Sequence, residues 1–132
     1  KLLVTDGLLQ AGFGTTLELV DGIVDMRAQY GHDSNSDGAV DTWNSTTPTT
    51  SDGWAGVLAM RIGVLARIGN YEKPAGANCD ATTATPTWSG SGTASDAFNK
   101  LDFATPTSQD RCYRYRVFET TVPLRNMIWR AT

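Results

Sequence analysis

Residues 57–68 alternate without a break, with Leu58, Met60, Ile62, Val64, Ala66 and Ile68 on one side and Val57, Ala59, Arg61, Gly63, Leu65 and Arg67 on the other. A period of two is the repeat of an extended strand, because successive side chains leave opposite faces. A buried helix is the competitor. Gly63 counts against it, since a glycine inside a helix costs about 1 kcal/mol relative to alanine. The run predicts a long central strand whose two arginines mark the outer face, entered through one helical turn at residues 51–56. Everything else has to form a sheet around it.

The flanking segments supply partners. A turn at Asp21-Gly22 leads into a strand from about Ile23 to Gly31, with Val24, Met26, Ala28 and Tyr30 on one face and Asp25, Arg27 and Gln29 facing water. A helical reading of residues 15–31, with Leu17, Val20 and Val24 as its stripe and Thr15 or Thr16 as its cap, breaks at Gly22. A short return strand near residues 40–43 completes a hairpin. Residues 1–10 read as a short strand that ends in a turn at Gly12 and Gly14. Residues 111–126 return to strand, with Tyr113, Tyr115 and Val117 on one face and Arg114 and Arg116 on the other. From Phe118 the apolar residues switch parity to Phe118, Val122 and Leu124. That switch predicts a bulge, or a strand covered on both faces in its second half. Pro123 has no amide to donate and belongs at an edge or end of the sheet. Met127, Ile128 and Trp129 leave an apolar tail. The fold class expected is α+β, mostly β, as one antiparallel domain over residues 1–132 with long loops.

Residues 44–53 form a polar loop. Residues 69–110 form a longer one, punctuated by Pro74, Gly76, Pro86, Gly90, Gly92 and Pro106. A segment of that length needs fastening inside a compact domain. Trp88, Phe98, Leu101 and Phe103 are the anchors available, and Cys79 and Cys112 are positioned to staple it. An even cysteine count in a small Thr- and Gly-rich chain favours a disulfide, worth about 3–4 kcal/mol in the chain-entropy description. Two free thiols are the alternative. Without a histidine nearby the pair makes a poor zinc site.

The hairpin tip, residues 30–43, sets Asp33, Asn35, Asp37 and Asp41 around Gly38 in the spacing DxNxDGxxD. Hard cations such as Ca²⁺ take several oxygen ligands from a tight turn of this kind. Asp33, Asn35, Asp37, the Ala39 carbonyl and Asp41 would hold the ion, with water completing its shell. The twelfth position of such a loop holds a bidentate Glu, and here it is Asn44. Flanking helices are also missing. An Asx-rich hairpin tip without a metal is the other reading, and both stay open at this point.

Composition narrows the function. The chain has 132 residues, 40% apolar and only 19% charged, and small polar residues fill the difference. This mixture suits an extracytoplasmic β-protein. A net charge of −3 gives no reason to expect nucleic acid. The Tyr–Arg alternation at residues 113–116 reads as a strand with one buried and one solvated face. Acidic residues crowd residues 1–52 and arginines crowd the C-terminal end, so the two could meet within one fold or between copies. No apolar run approaches the ~20 residues of a membrane span. The chain has no initiator Met and no signal peptide, which suggests a processed or excised piece of a longer protein. The lone histidine, His32, lies in the acidic turn and reads as a solvated loop residue. No phosphate-binding loop or carboxylate pair stands out among Glu18, Glu72 and Glu119. The chain does not read as an enzyme.

Three segments together carry a resemblance: LVDGIVDMRAQYG at residues 19–31 running into the acidic loop, WAGVLAMRI at residues 54–62, and YRYRVFETTVPLRN at residues 113–126. In this order they closely resemble the C-terminal half of the PilW family, minor pilins of the bacterial type IV pilus. The resemblance covers most of the chain, with the loop at residues 69–110 its least diagnostic part. It implies a pilin-like antiparallel sheet that packs on the C-terminal half of a long N-terminal helix. That helix and its processing site are absent from this chain. It implies a structural subunit that helps prime pilus assembly and organise the tip, with other pilins, minor pilins and a tip adhesin as partners. It implies a place in the periplasm and inner membrane before assembly and in the extracellular pilus afterwards. A sheet without its covering helix should expose an apolar face and pack on another copy or a partner. The alternative is a secreted, disulfide-stapled binding module for a carbohydrate or protein ligand, with Trp43, Trp54 and Trp88 stacking on sugars. Core or loop anchoring is the plainer role for those rings.

Overall fold

The computed structural model describes residues 2–5 and 16–124. Two short strands, β1 (Leu2–Thr5) and β2 (Thr16–Val20), pair antiparallel with each other. The turn expected at Gly12 and Gly14 and the apolar tail at residues 127–129 lie outside the described residues. The main sheet has four antiparallel strands in the order β4-β3-β5-β6. They are β3 (Ile23–His32), β4 (Thr42–Asn44), β5 (Val57–Arg67) and β6 (Tyr115–Pro123). The fold is mostly β with little helix.

Local chemistry sets the joints. Gly22 takes φ +87° at the entry to β3, where its carbonyl accepts from the Arg67 amide at 2.8 Å and the Asp21 carboxylate accepts from its own amide. A side chain at that φ would be strained. A one-turn helix α1 (Ser51–Ala55) opens with Thr50, whose hydroxyl accepts from the Gly53 amide at 3.1 Å. It delivers the chain into β5, the central strand, paired with β3 between Val57 and Ala66 and with β6 from Ala59 to Arg67.

In β3 and β5 the two faces are opposite to the expectation from sequence, while in β6 Tyr115 and Val117 turn to the core and Arg116 to solvent, as expected. The odd-numbered face of β5, with Val57, Ala59, Gly63 and Leu65, is the buried one. Asp25 and Gln29 were expected in water, yet they are only 2% and 4% exposed beneath the long loop. The core is Leu65, Trp88 and Phe98, with Val24, Leu101, Tyr115 and Val117 packed around it. Val24 reaches this side because the register of β3 against β5 slips between Ile23 and Asp25. The arginine on this face is also accommodated. The Arg61 guanidinium lies 4.7 Å from the Trp43 ring centre and 5.8 Å from that of Trp88, and its Nε donates to Gln29 Oε1 at 2.8 Å.

The loop between β5 and β6 is a fastened cover. Cys79 and Cys112 are joined by a disulfide across 33 residues of sequence. Beside it the Arg111 Nε donates to the Cys79 carbonyl at 3.0 Å, and its guanidinium pairs with Asp80. Trp88 Nε1 donates to the Asp96 carbonyl, and Tyr115 Oη to the Asp110 carbonyl, both at 2.8 Å. Arg114 pairs with Glu72. The C-terminal arginines with described partners thus pair within the cover and its strand, not with the acidic loop.

The end of β6 is also corrected. Its pairing with β5 runs from Tyr115 to Pro123 with no shift in register, so there is no bulge. Positions 118–123 are exposed on both faces. Pro123 closes an edge strand.

Candidate functional site

From Met26 across to Val122 the even-numbered face of the sheet is apolar and bare among the described residues, and Arg116, paired with Ala66, bounds it at one end. Strand register aligns it in three rows: Met26–Val64–Phe118, Ala28–Ile62–Thr120 and Tyr30–Met60–Val122. No row contains a charged side chain. Met26 is 51% exposed, Phe118 54% and Val122 44%. Large side chains at this exposure, contiguous across three strands, mark an interaction surface rather than scattered apolar residues. Trp54 stands edge-on to Tyr30 at one end of the band, with ring centres 5.4 Å apart. Between β5 and β6 the face dips into a hollow of about 110 Å³ lined by Ile62, Val64, Phe118, Glu119 and Thr120. The parity switch at Phe118 was the sequence signal of this face. It marks where β6 runs past the cover and its apolar residues change sides.

The opposite face holds a polar cleft of about 230 Å³ between Trp43, Arg61, Trp88, Ser89, Glu119, Thr120 and Thr121. The Ser89 hydroxyl and amide donate to the Glu119 carboxylate at 2.7 and 2.8 Å and hold it below the usual carboxylate range. Of the three tryptophans, Trp43 and Trp88 line this cleft with Arg61 against both rings. Trp88 is wedged between Gly63 and Gly90. Trp43 carries Arg61 on its ring, and Trp54 packs with Tyr30.

At the hairpin tip the proposed calcium ligands are close in sequence but turned onto the loop itself. Asp33 accepts from the amides of Ser36, Asp37 and Gly38 at 2.7, 3.2 and 2.9 Å. Asp37 accepts from the Ala39 amide at 2.8 Å and from Asn35 Nδ2 at 3.2 Å. The Ser34 amide and hydroxyl donate to Asp41 at 2.7 and 2.8 Å and hold its carboxyl below the usual range. Gly38 takes φ +86° to close the turn. Among the described residues no three acidic, histidine or cysteine side chains converge as a metal-binding set. The carboxylates of Asp33, Asp37 and Asp41, with Asn35 and the Ala39 amide, form an Asx-turn network. His32 is not in this loop. It ends β3 beside Tyr30, with a buried Nε2 that has no hydrogen-bond partner.

No helix among the described residues is long and apolar enough to cross a membrane. No curated protein and no solved structure matches the chain. The sequence model of the type IV pilus-assembly protein W family (PilW) matches residues 1–126. With that match spanning nearly all of the 132 residues, on a mostly-β antiparallel sheet, the chain belongs to the PilW family.

Proposed function

We propose that the chain is a structural minor-pilin subunit of type IV pilus assembly and that its bare sheet face is the surface on which it docks. The observation that carries this reading is the uncharged three-strand band from Met26, Ala28 and Tyr30 across Ile62 to Phe118 and Val122. Burying a large apolar side chain of this kind contributes about 1.5–3 kcal/mol. Seven of the nine aligned positions, all but Ala28 and Thr120, carry such a side chain, enough driving force to seat an apolar helix of a pilin. The hollow beside Ile62 accepts one protruding side chain of such a helix. The disulfide-fastened cover suits an oxidising envelope or extracellular setting. Priming of assembly, organisation of the tip and presentation of an adhesin are the tasks that minor pilins of this kind serve.

The test is Ile62→Glu, introduced into the protein in its host. Ile62 sits at the centre of the face that the described residues leave bare, so the 132-residue chain carrying the substitution should keep a melting temperature close to the parent. Piliation should be lost, together with capture of other pilins in crosslinking. Normal piliation by the folded variant would overturn the reading.

A further inference from the structure

The outer edge of β6 has a pairing capacity that the four-stranded sheet does not use. β6 is the terminal strand on its side. The Leu124 amide donates to the Leu58 carbonyl and the Ile68 amide to the Arg114 carbonyl, both at 2.8 Å. These opposed pairs fix the phase of the ladder, because in an antiparallel pair hydrogen-bonded and non-hydrogen-bonded positions alternate. Even-numbered residues of β6 therefore bond to β5. Tyr115, Val117, Glu119 and Thr121 turn their N–H and C=O groups to the open edge, and no described residue bonds to them. Pro123, the next odd position, has no N–H to offer.

Natural sheets blunt such edges with lysines, internal prolines, bulges or a covering segment. Between Tyr115 and Val122 β6 has no lysine, no proline and no bulge, and from Phe118 onward it is exposed. We infer that this edge pairs antiparallel with the same edge of a second copy of the chain, on a twofold axis at Phe118. The unused set runs from residue 115 to residue 121, so its midpoint is Phe118. With the axis there, Tyr115 lies opposite Thr121 of the second copy and Val117 opposite Glu119 of the second copy, and every outward group is matched. Equal parity keeps the bare face of both copies on one side. Phe118 meets its own counterpart in a non-hydrogen-bonded pair, the type that brings side chains closer. An axis at Glu119 would set two carboxylates against each other and bring Pro123 opposite Tyr115. An axis at Val117 would leave Thr121 facing Tyr113, outside the strand. This pairing uses the edge of the sheet and does not depend on what covers its face.

The experiment is residue-resolved amide exchange of the whole chain at low and high protein concentration, alongside sedimentation. At high concentration the Val117, Glu119 and Thr121 amides should exchange roughly tenfold more slowly, in step with a monomer–dimer shift. The Arg116, Phe118, Thr120 and Val122 amides should be protected throughout. Thr121→Pro removes one outward N–H without touching the β5 ladder and should abolish both effects. Odd-numbered amides that exchange freely at every concentration would overturn the inference. A dimer that persists unchanged in Thr121→Pro would also overturn it and would point to association through the bare face.

Discussion

Trp88 lies across Gly63, so close that a Cβ on the glycine would come within 2.5 Å of the indole Cδ2. The contact joins the long cover to the middle of β5, and both partners are buried. Gly63→Ala should destabilise by about 1–3 kcal/mol, the usual cost of overpacking a fitted core. Combining it with Trp88→Leu should give less than the sum of the two single losses, because the ring that clashes is gone. Denaturant unfolding of the four variants measures the coupling.

Gln29 is the hub of the polar layer under the cover. Its Nε2 donates to Asp96 Oδ2 at 2.6 Å and to the Gly90 carbonyl at 3.3 Å, and its Oε1 accepts from Arg61. Gln29→Ala would leave a buried carboxylate, a buried carbonyl and a guanidinium without this partner. The expected loss is about 2–3 kcal/mol, since unsatisfied buried groups bear their desolvation cost. Gln29→Glu should also destabilise, because it faces Asp96 with a second negative charge. Thermal melts of both variants check this.

That polar layer is also where the sequence misled. The strands themselves were legible: the turn at Asp21-Gly22, the hairpin around the acidic tip and the long run of β5 follow from period-two patterning and turn chemistry. Which face of β3 and β5 was inside was not, although that of Tyr115 and Val117 in β6 was. Alternation separates two sides but does not say which one is covered. The apolar set of Met60, Ile62 and Val64 resembled a core, while Asp25, Arg27 and Gln29 resembled a wet face. The cover comes from a loop far along the chain, and it brings its own polar partners, Asp96 and Asn99, to satisfy that face. Gly63 was the available clue, as the one position on β5 able to admit a tryptophan.

Tyr115 gives a pH-dependent prediction. Burial, with the Asp110 charge adding to it, pushes its phenol from 10.0 up to about 12. Between these values the folded chain keeps a proton that the unfolded chain has released. Stability therefore falls as pH rises above 10, and this contribution levels off beyond about 12. Tyr115→Phe should remove that alkaline slope. At neutral pH it should cost about 1 kcal/mol for the lost bond to the Asp110 carbonyl. Denaturation midpoints taken from neutral to alkaline pH separate the two effects.

The acidic tip closes on its own amides, so the melting temperature is expected to be the same in calcium and in chelator. Asp33→Ala removes the acceptor of three amides. Because these groups are exposed, it should cost only about 1 kcal/mol. A calcium-dependent rise in melting temperature that Asp37→Ala abolishes would instead show the carboxylates leaving their amides for a cation.

The disulfide and the Trp88 wedge tie residues 69–112 to one side of the sheet, while the three apolar rows are built from β3, β5 and β6 alone. The molecule thus has a back supplied by the loop and a front supplied by the strands. A loop exchanged between Ile68 and Arg114 leaves the side chains of the front in place, provided that it again fills the space Trp88 and Phe98 occupy against Leu65. A chimera carrying a different stapled loop on these same strands would be expected to keep its place in an assembly while presenting a new outer surface.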